Sequence, residues 1–157
     1  MKLSLGEQGI TFLETMIALV IIGSLLIGLY GLLESGMAMY QANDAYLELM
    51  QQMRFAMLTL GKDIRRANSI SFNVIKKELT INFSNGSKKY GLDREDVYGP
   101  SGLSGQQLWG TTKNNPLASY ISDFNIIQKD KLVTVILEAK VPKGKILTLQ
   151  SNFTMRN

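Results

Sequence analysis

Residues 10–33 form an apolar run that contains a single charged side chain. The run reads ITFLETMIALVIIGSLLIGLYGLL, and its one charge is Glu14. A helix of this length would extend about 36 Å, which is enough to cross a hydrocarbon core of about 30 Å. The run therefore predicts a membrane-spanning helix, and any globular domain has to be built from the residues that follow it.

Three interpretations of the run compete. A cleaved secretory signal would use small residues such as Gly36-Met37-Ala38 as its cleavage site, but the apolar core is longer than that of a typical signal peptide. A permanent signal anchor would keep Lys2 and the amino terminus in the cytoplasm. The third interpretation gives Glu14 a function.

A carboxylate inside a membrane segment costs about 3 kcal/mol or more, so such a residue calls for a partner. Cleavage between Gly9 and Ile10 would create a positively charged α-amine, and Glu14 would be the fifth residue after the cut. That amine, one helical turn away, or the amine of an adjacent subunit would neutralise the carboxylate. A pair between subunits would favour docking of their helices in register.

The segment EQG followed by ITFLETMIALVIIGSLLIGLYGLL resembles the amino-terminal region of type IV prepilins and of the pseudopilins of type II secretion. The resemblance implies that a membrane-embedded prepilin peptidase cuts after Gly9 and methylates the new terminus at Ile10. It also implies that Glu14 is the family's fifth-position glutamate, which acts in subunit docking.

Residues 37–67 lack proline and have apolar residues at helical spacing, which predicts an amphipathic helix outside the membrane. The predicted apolar stripe consists of Met39, Tyr46, Met50, Met53, Met57, Leu60, Ile64 and Ala67. The predicted polar face consists of Glu48, Gln51, Gln52, Arg54, Lys62 and Arg65. Packing of the stripe on a sheet is favoured over a coiled coil, because strand patterns follow it in the chain.

Apolar residues alternate with polar ones after Asn68, which predicts antiparallel strands. Early strands are expected at residues 70–74, 79–83 and 88–92, with a hairpin turn at Asn85-Gly86. Later strands are expected at residues 120–126, 132–141 and 146–155, with turns at Lys129-Asp130 and Pro142-Lys143-Gly144.

Residues 93–118 are rich in Gly, Ser, Asn and Gln and contain only isolated apolar residues. This composition predicts a long surface excursion, with Trp109 as its structural anchor. A binding loop is the alternative interpretation, and the anchoring role is favoured for Trp109.

The elements together predict an α+β fold, in which a long N-terminal helix packs on an antiparallel β-sheet. The helix is expected to span the membrane in its first half and to be amphipathic in its second half. The plan is similar to that of pilins, and it implies four parts. These are a leader removed at residues 1–9, a transmembrane and filament-core helix at 10–34, an amphipathic helix at 35–68 and a β-rich domain at 69–157.

Within the pilin family, three segments look most like the minor, J-type pseudopilins and the related minor pilins of type IV and competence systems. The segments are QQMRFAMLTLGKDIRRANSI, ISDFNIIQKDKLVTVILEAK and the terminal FTMRN.

The chain contains no cysteine and no histidine, which excludes thiol nucleophiles, histidine bases and the usual zinc ligands. It also lacks a phosphate-binding loop and a GxSxG motif. Asp93, Glu95 and Asp96 do not have the spacing of a calcium loop and predict a solvated acidic turn. We therefore expect no enzymatic activity, no catalytic residue, no metal and no cofactor.

The basic charge lies downstream of the apolar run. The whole chain carries +4, while residues 35–157 carry 16 − 10 = +6 from their 16 Lys and Arg and 10 Asp and Glu. These cations are scattered along the sequence, without a long basic cluster. Nucleic acid is therefore expected as a partner only if the chain belongs to a DNA-uptake pilus.

The resemblance implies a minor pilin or pseudopilin that is first inserted in the cytoplasmic membrane, with its C-terminal domain outside the cytoplasm. It would then join a type IV pilus or a type II pseudopilus near the tip and help to start assembly for secretion, DNA uptake or surface functions. Its expected partners are the prepilin peptidase, other minor and major subunits, and the membrane. The alternative is a single-pass anchored binding module that is not polymerised, keeps residues 1–9 and does not need Glu14.

Overall fold

One long helix precedes an all-antiparallel sheet in this chain. A computed structural model describes residues 12–99, 102–141 and 144–156, without the side chains of Arg94 and residues 112–115. The helix α1 is Phe12–Arg65. Its first part is apolar and its second part amphipathic, as the sequence predicts. By its contacts the chain divides into two units, Met1–Tyr40 and Gln41–Asn157.

The second unit contains a seven-stranded meander in which each strand pairs with the next one along the chain. The strands are β1 Ser69–Asn73, β2 Glu78–Phe83, β3 Gly86–Tyr98, β4 Ser104–Gly110, β5 Thr112–Lys129, β6 Leu132–Lys140 and β7 Ile146–Thr154. All these pairings are antiparallel. The α+β prediction is therefore confirmed. A two-residue hairpin turn joins β2 to β3, but its loop residues are Ser84 and Asn85, one position before the predicted Asn85-Gly86.

The core forms between one face of α1 and one face of the sheet. On β6, Val133, Val135, Leu137 and Ala139 are completely buried, and they alternate with more exposed residues. Completely buried side chains of α1 belong to the same cluster: Leu49, Met53, Ala56, Leu60 and Ile64. The two periodicities, two on the strand and about 3.6 on the helix, bring both apolar faces together.

The predicted apolar stripe of α1 is confirmed over its second half and wrong over its first. Met53, Met57, Leu60, Ile64 and Ala67 are buried. In contrast, Met39 and Tyr46 are exposed and Met50 is half-buried. The buried face instead begins at Ala45 and Leu49. Ala45 and Leu49 are buried there, whereas the spacing of the larger side chains predicted Tyr46 and Met50.

The prediction of a surface excursion at residues 93–118 is wrong, because most of this segment is strand. β3 continues to Tyr98, β4 follows, and β5 begins at Thr112. Trp109 is buried as predicted, but within β4, where it lies opposite Gly91 of β3. A Cβ at Gly91 would come within 2.7 Å of the Trp109 ring, so this glycine makes room for it.

The acidic residues Asp93, Glu95 and Asp96 also lie in β3, so the predicted acidic turn is wrong. Strand pairing of residues 93–118 depends on neighbours that are distant in the sequence, and a local polar composition does not reveal such neighbours.

A buried carboxylate joins the end of α1 to β3. The Asp63 side chain is 9% exposed and accepts a hydrogen bond from the Tyr90 hydroxyl. Its Oδ2 also lies 2.9 Å from Lys88 Nζ. Lys88 and Tyr90 are two residues apart on one strand and therefore share a face. Burial, the hydrogen bond to Asp63 and the charge of Asp63 raise the pKa of the Tyr90 hydroxyl above its ordinary value.

Gly61 is required where α1 meets the end of β7. A Cβ at this position would lie 2.3 Å from the Phe153 ring, which is far inside van der Waals contact. We predict that Gly61→Ala lowers the free energy of unfolding by about 1–3 kcal/mol through overpacking. Urea unfolding followed by the fluorescence of Trp109, the one tryptophan, measures this change.

Gly36→Ala is the matched control for Gly61→Ala, because a Cβ at Gly36 meets nothing within 4 Å. The double variant Gly61→Ala/Phe153→Leu should regain part of the loss, since the smaller side chain relieves the collision. Equal stability of Gly61→Ala and Gly36→Ala would contradict this account of the helix–strand contact.

The raised pKa of Tyr90 makes stability depend on pH in the alkaline range. Below pH 10 the hydroxyl is protonated in both states, so its contribution is complete. Above pH 10 the unfolded chain releases this proton while the folded chain keeps it, so stability falls as pH rises. We predict that the free energy of unfolding falls more steeply with pH for the wild type than for Tyr90→Phe, by up to about 1.4 kcal/mol per pH unit. Parallel pH profiles of unfolding for the two proteins would contradict it.

Candidate functional site

The apolar first part of α1 exposes its large side chains in every direction. The consecutive residues Leu19, Val20 and Ile21, which point to different sides of the helix, are 67%, 71% and 53% exposed. The apolar window of the helix has a mean hydropathy of 2.5, and none of it is buried within the chain. Residues 12–33 alone extend about 33 Å. This helix is therefore long and apolar enough to span a membrane, and its surface requires an apolar solvent or other helices as cover.

Hydroxyl groups in this part of α1 are satisfied by the helix itself. Thr15 Oγ1 donates to the carbonyl of Phe12 at 2.8 Å, and Ser24 Oγ donates to the carbonyl of Ile21 at 2.8 Å. Such bonds to the preceding turn remove the cost of placing a hydroxyl group in hydrocarbon. Thr15 and Ser24 therefore do not interrupt the apolar surface.

Glu14 lies in the first described turn of α1 and is exposed. A carboxylate near a helix N-terminus is favoured by the helix dipole and by the free N–H groups of the first turn. The predicted cleavage and methylation residues, Gly9 and Ile10, lie outside the described residues. The site that the sequence predicts is thus described only at Glu14, on the apolar helix.

Pattern analysis missed two groups of side chains in the second unit. The first is the Asp63, Lys88 and Tyr90 cluster, and its one signal is an aspartate between the buried positions Leu60 and Ile64. The second is a set of cations at the end of α1, Lys62, Arg65 and Arg66, together with Arg156 after β7. The distance in sequence between Arg156 and the other three gave no signal that they share a cleft.

The described residues contain no group of three side chains of the His, Cys, Asp and Glu types that could hold a metal ion. No arrangement of a nucleophile with a base was predicted from the sequence either. That the chain is not an enzyme and needs no cofactor stays a prediction.

A scan of protein-family models and searches of curated proteins and solved structures gave no match to this chain. The resemblance to prepilins therefore stays a prediction from the sequence, based on residues 6–33.

We predict that the apolar helix holds the chain in membranes. Two arginines at Val20 and Ile27 would add about 5 kcal/mol or more to the cost of insertion. The variant Val20→Arg/Ile27→Arg should move from the membrane pellet to the supernatant after alkaline carbonate extraction. Ile75→Arg/Ile146→Arg, at exposed positions outside the apolar run, should stay in the pellet with the wild type. Retention of both variants would contradict the prediction.

Proposed function

We propose that this chain is a minor pilin or pseudopilin, a structural subunit of a type IV pilus or type II secretion pseudopilus. In this proposal the prepilin peptidase removes residues 1–9 and methylates Ile10. The mature subunit then moves from the cytoplasmic membrane into the filament near its tip, where it helps other minor subunits to start assembly.

One observation supports the proposal most directly. Glu14 lies in the first described turn of a helix whose exposed apolar part is longer than a hydrocarbon core is thick. A simple anchor does not need Glu14, and a carboxylate in the membrane adds to the cost of insertion. A helix that leaves lipid to pack against other apolar helices gains a polar contact that selects one register. The same helix continues into an amphipathic part that packs on a sheet, the order of elements expected of a pilin.

The proposed role of Glu14 also predicts the position of this chain relative to the tip of the filament. A subunit at the extreme tip has nothing above it to dock against, so it has no need of an embedded carboxylate. Glu14 would therefore pair with the amine of a subunit above, which puts this chain beneath another subunit. The charge pair would supply register, while close van der Waals packing between the helices would supply the remaining affinity.

N-terminal sequencing and intact-mass analysis test the processing step. The chain is extracted from membranes with and without a co-expressed prepilin peptidase. We expect a peptidase-dependent start at Ile10 that carries one added methyl group. A start at Met1 in both samples would favour the unpolymerised anchored module, and a start near Met39 would show that the apolar run is a discarded signal.

Glu14→Ala tests the docking step separately from processing. We predict that the variant is cut as completely as the wild type but enters sheared filaments at about a tenth of the wild-type amount or less, which corresponds to a lost interaction of about 1.4 kcal/mol. Immunoblots of membrane and filament fractions measure both quantities.

Glu34→Gln is the matched control, because it removes a carboxylate at the other end of the apolar run. It should enter filaments like the wild type. Equal incorporation of Glu14→Ala and wild type would refute the docking role and leave processing unaffected.

A further inference from the structure

Four cations meet at a cleft between the last turns of α1 and the end of β7. Lys62 and Arg65 come from the helix, Arg66 directly follows it, and Arg156 comes from the chain after the strand. The cleft has a volume of about 620 Å³ and lies wholly within the second unit. All four side chains belong to exposed residues. Tertiary structure thus adds Arg156 to three cations that lie within positions 62–66, which gives a local charge of +4.

These cations are not neutralised within the described part of the chain. Ion pairs in this part of the chain join Lys77 to Asp123, Lys88 to Asp63, and Lys89 to Glu78, and none of these three includes a cation of the cleft. Cations at a helix C-terminus often bind the last carbonyl groups. Here backbone N–H groups of Arg66, Ala67 and Arg156 already bind the carbonyls of Asp63, Ile64 and Arg65. The side chains are therefore not needed as caps.

The floor of the cleft is Phe153, which packs against the helix at Gly61 and is only 7% exposed. The guanidinium of Arg65 lies over the Phe153 ring, with its central carbon 5.7 Å from the ring centroid. This contact restrains the orientation of the planar Arg65 group, which suits the binding of planar oxyanions. It also covers one face of this ring, so Phe153 is not open for stacking.

The rim of the cleft carries an exposed apolar side chain. Leu58 lines the cleft and is 74% exposed, and Phe55, one helical turn earlier, is 59% exposed. Positions three apart lie on one face of a helix, so this apolar pair borders the basic residues. Basic and apolar groups side by side are typical of a surface that binds another protein.

We propose that this cleft binds an acidic segment of a partner protein, one that carries at least two carboxylates next to an apolar side chain. The carboxylates pair with Lys62, Arg65, Arg66 and Arg156, and the apolar side chain packs on Leu58. Guanidinium groups bind carboxylates through two parallel hydrogen bonds, which gives the contact direction as well as charge complementarity. This proposal does not depend on the proposed function.

A nucleic acid fits the cleft less well. Proteins that bind single strands combine cations with open aromatic faces on which bases stack. Phe153 is buried and covered by Arg65, and the exposed Phe55 lies outside the residues that line the cleft. A phosphate backbone would also make no use of the exposed Leu58. The combination of charge and apolar surface therefore favours a protein segment.

Fluorescence anisotropy with defined peptides tests the proposal on the full chain in an uncharged detergent. The probe is a labelled peptide of about 12 residues in which Glu alternates with Leu. A peptide of equal length and charge, in which Glu alternates with Ser, tests the apolar contact. A single-stranded oligonucleotide of similar length is the third probe. We expect the Glu/Leu peptide to bind at least about tenfold more tightly than either of the others.

Two charge-reversal variants separate the cleft from general attraction. Lys62→Glu/Arg66→Glu/Arg156→Glu should weaken binding of the Glu/Leu peptide by about tenfold or more. Lys76→Glu/Lys129→Glu/Lys145→Glu changes the net charge equally at exposed residues outside the cleft, and should keep the wild-type affinity within about twofold.

Leu58→Ser tests the rim without a change of charge. It should remove the preference for the Glu/Leu peptide and leave the Glu/Ser peptide unaffected. Equal losses in both charge variants, tighter binding of the oligonucleotide, or no binding of either peptide would overturn the proposal. Unchanged Trp109 fluorescence and unfolding profiles show that the variants are folded.

Discussion

The structure of the second unit depends on the burial of one face of α1 against the sheet. Leu49, Met53, Leu60 and Ile64 are completely buried, and each contributes about 1.5–3 kcal/mol relative to exposure. The ion pair of Asp63 with the partly exposed Lys88 contributes about 1–3 kcal/mol with its hydrogen bonds, which is less than the four apolar side chains contribute together. Apolar burial therefore supplies the affinity between helix and sheet, and Asp63 selects the position of the helix end relative to β3.

The two parts of α1 require different surroundings. Its first part is apolar on all sides and has no cover within the chain, which suits lipid or a bundle of similar helices. Its second part buries one face and presents the other to water. The proposed function uses this division, because a subunit that leaves the membrane needs a helix that associates in apolar surroundings and a domain that is stable outside them.

The end of α1 combines several close contacts in a small volume. Gly61 leaves space for the Phe153 ring, and the guanidinium of Arg65 lies over that ring. Backbone N–H groups donate hydrogen bonds to the last carbonyl groups of the helix. This arrangement leaves Lys62, Arg66 and Arg156 with exposed positive charge and no ion pair among the described residues. A basic cleft with an apolar rim is thus a product of tight local packing.

The sequence by itself determined the apolar helix, its single carboxylate, the amphipathic continuation and most of the strands, because these follow from local periodicity and charge. Only the tertiary structure decided that residues 93–118 pair as strands and that the buried helix face begins at Ala45. It also placed Asp63 beside Tyr90 and Lys62 beside Arg156. Each of these depends on neighbours far apart in the chain, whose shapes and charges meet only after the helix has packed on the sheet.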